Sequence, residues 1–187
     1  SWRRNTVWAD LEQAPLAFAL EQLVSLADVT QQPLVSTGLT EMIYDYEHRG
    51  WKADDAVLRA MKAVISAPDR EVVGLTTIAV YRLWAEEGAK ALQSIVGSMA
   101  NAGTYEPGEP ADVSPGTITV FVDGLRLDIA HRLQTRLAGV GLEVESRVNL
   151  AALPTVTETS KPSLVPIQQG ALTAGPDLFP SNSTTGT

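Results

Sequence analysis

Apolar residues recur every three or four positions through the first hundred residues of this chain. That period is typical of helices that bury one face. The pattern predicts four such helices, at about 15–26, 39–49, 54–65 and 69–99. Gly50 is expected to end the second helix, Asp69 to cap the fourth, and Gly88 to interrupt it.

Residues 103–116 break this pattern. Glycines and prolines interrupt any helix there, and acidic side chains at Glu106, Glu109 and Asp112 keep the segment solvated. Composition of this kind is typical of a linker. The chain is therefore predicted to consist of a helical domain at 1–102, a linker at 103–116 and a second domain at 117–187.

The second domain begins with a pattern that is typical of alternating strands and helices. Thr117–Val122 is rich in β-branched residues, Leu125–Leu137 has apolar residues at helical spacing, and Leu142–Val148 again favours a strand. A strand, a helix and a strand within about thirty residues imply parallel pairing with a right-handed crossover. The predicted fold class is therefore α/β, with a helical N-terminal domain followed by the first β-α-β segment of a parallel sheet.

Composition narrows the function classes. The chain has 187 residues, 44% of them hydrophobic, with no cysteine and no apolar run long enough to span a bilayer. The absence of cysteine fits a cytoplasmic protein.

The net charge of −8 is divided equally between the two halves of the chain, with 9 Lys/Arg against 13 Asp/Glu in 1–102 and 5 against 9 in 103–187. Neither half carries the basic stripe that direct nucleic-acid binding requires, and a phosphorylated substrate would need cations to offset its charge.

Candidate chemistry lies at the carboxyl ends of the two predicted strands, where ligands bind in parallel sheets. Asp123 follows the first strand, and the hydroxyl-rich segment Pro154–Pro162 follows the second. The hydroxyl of Thr157 needs an adjacent base or a metal to act as a nucleophile, and no histidine is near it in sequence. A metal held by Asp123 is the simpler route, and two cations about 4 Å apart would clamp the attacking and leaving oxygens.

Two basic residues are candidates for binding a phosphate group. Lys161 lies four residues after Thr157 and can reach the same face of a helix that starts in this segment, where free N–H groups also favour a phosphoryl group. Arg126 is either a phosphate contact or a first-turn surface residue. The two histidines have structural explanations, because His131 lies in an amphipathic helix and His48 lies at a helix end that favours its charge.

Two motifs resemble the start of the PglZ domain, which belongs to the alkaline phosphatase superfamily and occurs in BREX phage-defence systems. They are Phe121-Val-Asp-Gly-Leu-Arg-Leu-Asp128 and Leu153-Pro-Thr-Val-Thr-Glu-Thr-Ser-Lys-Pro162. The helical half also resembles the region that precedes the domain in those proteins, through Trp8 followed by Ala14-Pro15-Leu16-Ala17, and through Tyr46 followed by Gly50-Trp51 and Asp54. The resemblance covers nearly the whole chain, but only the opening portion of a PglZ protein.

The resemblance implies a metal-dependent phosphohydrolase of a bacterial phage-defence system, which cleaves a phosphomonoester or a phosphodiester. It implies two divalent metal ions, expected to be zinc, and other defence-system proteins as partners. It places a metal-ligating aspartate at Asp123 and a metal-bound nucleophile at Thr157, with Thr155 and Thr159 as alternatives. The later Asp and His residues of such a site are expected beyond Thr187, so the chain alone is expected to be inactive.

Other interpretations stay open. The helical half can be a non-catalytic interaction module that docks proteins of a defence complex, and an accessible apolar patch on residues 1–102 would favour it. Alternatively, Asp123 is itself a phosphatase nucleophile, although such enzymes usually place a second acid two residues later, where this chain has Leu125. In purely structural terms, Asp123-Gly124 is a turn and the hydroxyl-rich segment is a helix cap.

Overall fold

The computed structural model describes residues 14–109, 115, 116, 118, 120–164, 172–174 and 180–182. Its helices are α1 (Pro15–Thr30), α2 (Leu39–Asp45), α3 (Trp51–Ala63), α4 (Ala67–Asn101), α5 (Leu127–Gly139) and α6 (Thr157–Leu164), and a π-helical turn at Tyr46–Gly50 joins α2 to α3. Two short strands, β1 (Leu172–Ala174) and β2 (Pro180–Asn182), pair in antiparallel fashion. None of the described helices combines the length and the apolarity that crossing a bilayer requires.

The chain divides into two compact units, each taken as far as it is described. The helical unit consists of Ser1–Asn101 together with Leu125–Leu142, and the second unit consists of Ala102–Gly124 and Glu143–Thr187. Helix α5 thus belongs to the helical unit, although it follows the predicted linker at 103–116 in sequence. The predicted domain boundary itself stays a prediction.

The core of the helical unit is built by α1, α3 and α4. One buried cluster contains Ala19, Ala60, Val64 and Val73, and a second contains Leu26, Ala53, Ala56 and Trp84. From the first cluster to the second, the residue numbers rise in α1 and α4 and fall in α3. Helices α1 and α4 therefore run in the same direction, and α3 runs against both. The alanines of α3 recur at helical spacing along one face, and their small side chains let the neighbouring helices approach closely.

The reversal between α1 and α2 is held by the guanidinium of Arg49. Its Nη1 donates to the carbonyl oxygens of Val29 (2.8 Å) and Gln32 (3.1 Å), and its Nη2 donates to that of Pro33 (2.9 Å). Nε and Nη2 also donate to the carboxylate of Asp45, at 2.9 and 2.6 Å. All five N–H groups of the guanidinium are therefore used. Hydrogen bonding by Arg49 holds the pKa of Asp45 below its usual value.

Helices α1 to α4 lie close to the positions that the apolar period predicts, with four differences. Gly50 does not end a helix, because it lies in the π-helical turn that continues into α3. Ser66 rather than Asp69 caps α4, since Ser66 Oγ accepts from the Asp69 N–H at 3.3 Å. Helix α3 begins at Trp51 rather than near Asp54, because the π-helical turn continues directly into it. Helix α4 continues through Gly88, which is buried at a point where a Cβ would lie 3.0 Å from Leu34 Cδ1. Gly88 therefore permits close packing of Leu34 rather than a break in the helix.

The predicted α/β fold class is wrong, because the described residues are predominantly helical. Residues 118, 120–122 and 143–149 form no strand, so the described part of the chain contains no parallel β-α-β segment. β-branched composition indicates only that a segment suits a pleated, half-buried surface. The two segments predicted to be strands would bury too little apolar surface as a pair to be stable, and no other described segment covers them. Their large apolar side chains are instead exposed, as at Ile118, Phe121 and Val148.

Hydrogen bonds between extended segments hold part of the second unit together. The hydroxyl of Tyr105 donates to the carbonyl oxygen of Ala151 at 2.6 Å, and the N–H of Gly108 donates to that of Leu150 at 2.9 Å. Residues 105–109, which belong to the predicted linker, therefore lie beside residues 149–151. This contact joins two parts of the unit that are about forty residues apart in sequence.

We expect Gly50→Ala to destabilise the helical unit. A Cβ at this buried position would lie 2.6 Å from Tyr46 Cδ2 and 2.9 Å from Leu34 Cδ2, so one of these side chains must shift. Overpacking of this kind costs about 1–3 kcal/mol, which urea unfolding would measure. Gly74→Ala is the matched control, since its Cβ would meet only Met61 Cε at 3.9 Å; it should stabilise α4 by about 0.5–1 kcal/mol. Equal effects of the two substitutions would show that the π-helical turn has room for a side chain.

Candidate functional site

Asp123 and Lys161 form an ion pair in the second unit. Lys161 Nζ lies 2.8 Å from Asp123 Oδ2. Asp123 stands in a turn with Gly124, whose φ of 68° lies in the left-handed region that glycine adopts without strain. The two side chains are 67% and 39% exposed, respectively, so water screens their attraction and a solute can reach the carboxylate.

Thr157 is the first residue of α6. The N–H of Ser160 donates to the carbonyl oxygen of Val156 at 2.9 Å, so Val156 rather than Thr157 occupies the N-cap position. Thr157 and Lys161 are four residues apart in one helix and therefore lie on the same face. The ion pair thus brings the carboxylate of Asp123 to the helix face that carries Thr157.

The described donors are too few to hold a pair of metal ions. Asp123 and Thr157 offer oxygen atoms, which suit magnesium and manganese as well as zinc. Within the described residues, no group of three His, Cys, Asp or Glu side chains lies close enough together to hold a metal ion. Of the alternative nucleophiles, Thr155 is exposed in the loop before α6, and the side chain of Thr159 lies outside what the structure describes.

Arg126 lies in the helical unit, where it is the N-cap residue of α5. Its Nε donates to Asp128 Oδ1 at 3.0 Å, and its Nη2 lies 3.8 Å from Asp54 Oδ1. Asp128 is only 2% exposed, so the guanidinium compensates a buried carboxylate. The predicted contact of Arg126 with a phosphate group stays a prediction, and a phosphate would have to compete with both carboxylates.

A cluster of polar side chains surrounds Asp54, and sequence periodicity gives no sign of it. The two carboxylate oxygens accept hydrogen bonds from the phenol groups of Tyr46 and Tyr81. With Arg126, this Asp54 cluster joins α3 to the π-helical turn, to α4 and to the start of α5. Burial, and then hydrogen bonding to Asp54, raise the pKa of both phenols far above the usual value. Tyr81 is 27 positions from Asp54, so no local motif could have indicated their contact.

Both histidines stack on aromatic rings. His131 of α5 lies on Trp51 of α3, with ring centroids 4.2 Å apart. His48 lies on Tyr44 at 3.9 Å, and its Nδ1 lies 2.7 Å from the Tyr44 carbonyl oxygen. Both stacks are packing contacts, and the Nε2 of His131 is buried without a hydrogen-bond partner among the described residues.

Comparison of this chain with family models, curated proteins and solved structures gives no match. The resemblance to PglZ proteins therefore rests on the two quoted motifs and on the quoted residues of the helical half. What the chain does must be inferred from the chemistry of its own residues.

We expect the double substitution Tyr46→Phe/Tyr81→Phe to destabilise the helical unit at neutral pH. Asp54 would lose both phenol donors, and leaving a partly buried acceptor unsatisfied costs about 1–3 kcal/mol. Tyr44→Phe is the matched control, because Tyr44 is 62% exposed. It should change the free energy of unfolding by less than about 0.5 kcal/mol.

The same phenols predict an alkaline loss of stability. Because folding raises their pKa, their contribution is fully present below the unfolded pKa of about 10 and is lost as pH rises through the folded pKa. The free energy of unfolding of the wild-type chain should therefore fall above about pH 10. The double variant should lack that part of the decrease in urea unfolding between about pH 8 and 11. An identical decrease in both proteins would contradict the assignment to Tyr46 and Tyr81.

Proposed function

We propose that this chain provides the nucleophile and one metal ligand of a metal-dependent phosphohydrolase. The observation that carries the proposal is the 2.8 Å ion pair of Asp123 with Lys161, one helical turn from Thr157. An alcohol and an ammonium on one face of a helix, with a carboxylate paired to the ammonium, suit phosphoryl transfer to the alcohol. The resemblance of the surrounding motifs to PglZ domains supports the same assignment.

Each of the three side chains has a role in this proposal. Thr157 Oγ1 would form a bond to phosphorus and give up its proton to solvent water. The bond from phosphorus to the substrate's alcohol oxygen would break, and that oxygen would leave with the electron pair and take up a proton from water. Lys161 would stabilise negative charge on the phosphoryl oxygens through its ammonium group. The first-turn N–H groups and the dipole of α6 also favour an anion at the N-terminal end of this helix, where Thr157 lies. Asp123 would be the ligand that this chain contributes to the metal site.

The remaining metal ligands would have to come from outside the described residues. A bound pair of divalent cations would supply Lewis-acid polarisation and charge compensation. The resemblance favours zinc, although two oxygen donors do not select it over magnesium or manganese. We further propose that the protein acts in the cytoplasm, on a phosphate ester and beside other defence-system proteins. A chain with a net charge of −8 does not favour direct binding of nucleic acid.

We expect Asp123→Asn to abolish weak binding of Mn²⁺ to this chain. In the wild type, paramagnetic broadening of amide NMR signals should centre on residue 123 and on 157–161, with an affinity on the order of millimolar because the donors are few. Glu145→Gln is the matched control in the same unit. It removes an equal charge from an exposed carboxylate that pairs with Arg147 at 2.8 Å, and should leave the broadening in place. Broadening that survives Asp123→Asn would remove Asp123 from the site.

We expect Thr157→Ala to lower turnover of p-nitrophenyl phosphate or bis(p-nitrophenyl) phosphate by at least about 1,000-fold, in a form of the protein whose metal ligands are complete. The free energy of unfolding should change by less than about 0.5 kcal/mol, because Thr157 is exposed and Val156 occupies the cap. Thr155→Ala should have a smaller effect on turnover. If Thr157→Ala instead spares turnover and costs about 1 kcal/mol of stability, Thr157 is a structural residue and the proposal fails.

A further inference from the structure

An open apolar groove of about 310 Å³ runs along the helical unit between α1 and α4. Its lining includes Leu16, Leu20 and Leu23 of α1 and Val72 and Thr76 of α4. We call it the α1–α4 groove. Its rims are exposed, by 49% at Leu16, 45% at Leu20 and 61% at Val72. Contiguous apolar surface of this kind marks an interaction site more often than isolated apolar residues do.

The apolar face extends beyond the groove along both helices. At helical spacing, α1 adds Val24, which is 53% exposed, and α4 adds Leu83, which is 63% exposed. Thr76 is the polar member of the lining, and its hydroxyl donates to the carbonyl oxygen of Val72 at 2.8 Å. An occupant therefore meets apolar contact rather than an unpaired hydroxyl donor. From Val72 to Leu83 the face is roughly 17 Å long, which matches three turns of a helix.

Acidic side chains stand at both ends of this face. Asp69 precedes Val72 by three residues in α4, where it lies on the same side of the helix. At the other end, Asp28 follows Val24 by four residues in α1, and Glu87 follows Leu83 by four in α4.

Among the residues that the structure describes, the cations near this face are already engaged or lie beyond it. Arg82 pairs with Glu86 at 3.7 Å, and Arg70 Nε donates to the carbonyl oxygen of Val64 at 3.2 Å. Lys90 follows Leu83 by two turns and has Glu86 as an i,i+4 neighbour. The ends of the groove therefore favour a positively charged occupant.

We propose that the α1–α4 groove binds an amphipathic helix of a partner protein, with apolar residues on one face and Lys or Arg at both ends. Helix-in-groove recognition requires apolar anchors at i, i+3 or i+4, and i+7, which this length accommodates. A second copy of the chain would bring the same acidic ends and a net charge of −8 to the interface. An anionic lipid surface would be repelled by the same groups. The inference is independent of the phosphohydrolase proposal and uses none of its residues.

Two synthetic helical peptides provide the direct test. Both carry leucines at i, i+4, i+7 and i+11, and they differ only in having two lysines or two glutamates at each end. Fluorescence anisotropy with the 187-residue chain should give saturable binding of the lysine peptide. The glutamate peptide should bind at least about ten-fold more weakly, because its ends face Asp28, Asp69 and Glu87.

Matched variants locate the binding site. Val72→Glu places a charge in the groove and should weaken binding of the lysine peptide at least about ten-fold. Ile78→Glu is the control, because Ile78 is also β-branched and 54% exposed but lies on the opposite side of α4. It should change the affinity by less than about two-fold. Circular dichroism and urea unfolding of both variants would confirm that the helical unit remains folded.

Several outcomes would overturn the proposal. Equal affinity for the two peptides, equal loss in both variants, or no saturable binding at millimolar peptide would each remove the predicted partner. A dimer in sedimentation equilibrium that Val72→Glu dissociates, and Ile78→Glu does not, would assign the groove to a second copy. Flotation with phosphatidylserine vesicles that Val72→Glu alone abolishes would assign it to a lipid surface.

Discussion

The guanidinium of Arg49 closes the reversal between α1 and α2, and the order of the helical unit depends on this closure. Carbonyl groups at the end of a helix have no partner within it. Arg49 binds one such carbonyl, that of Val29, and two more just beyond the helix, those of Gln32 and Pro33. Two further bonds fix it to Asp45. Lysine carries a compact ammonium and cannot reproduce this planar fork. The reversal is therefore specified by one residue type rather than by the composition of the loop.

The consequences of this reversal reach every helix of the unit. It places Leu34 against Gly50 in the π-helical turn and against Gly88 in α4, and it presents the Gln32 carbonyl to the indole N–H of Trp84 at 3.0 Å. The π-helical turn changes the helical phase between α2 and α3. The phenol of Tyr46, at the start of this turn, donates a hydrogen bond to Asp54 in α3. Asp54 then also accepts from α4 and pairs with the residue that caps α5.

The sequence allowed the helices to be predicted, but not the contacts that orient them. An apolar period of 3.6 residues is a local signal, so α1 to α5 could be located from it. The Arg49 fork joins groups 4 to 20 residues apart, and the Tyr81–Asp54 bond spans 27, so no local pattern encodes either. The strand prediction was wrong for a related reason. A β-branched segment becomes a strand only when another segment pairs with it, and that partner is not visible in its own composition.

The prediction for the candidate site rested on parallel strand ends, yet Asp123 meets α6 without any parallel sheet among the described residues. The contact depends on one exposed ion pair, and such pairs contribute about 0–1 kcal/mol. This is far less than the rigid support that a catalytic arrangement requires. The polar contacts that fix orientation in the helical unit are shared among several partners, whereas Asp123 and Lys161 are held together by a single screened attraction. Local stability increases with the density of such contacts. The position of Asp123 relative to Thr157 should therefore be held less firmly than the positions of the polar side chains in the helical unit. In the proposed chemistry, the groups that complete the metal site must also supply the missing rigidity, because Asp123 and Thr157 would then both be held as ligands of a bound cation.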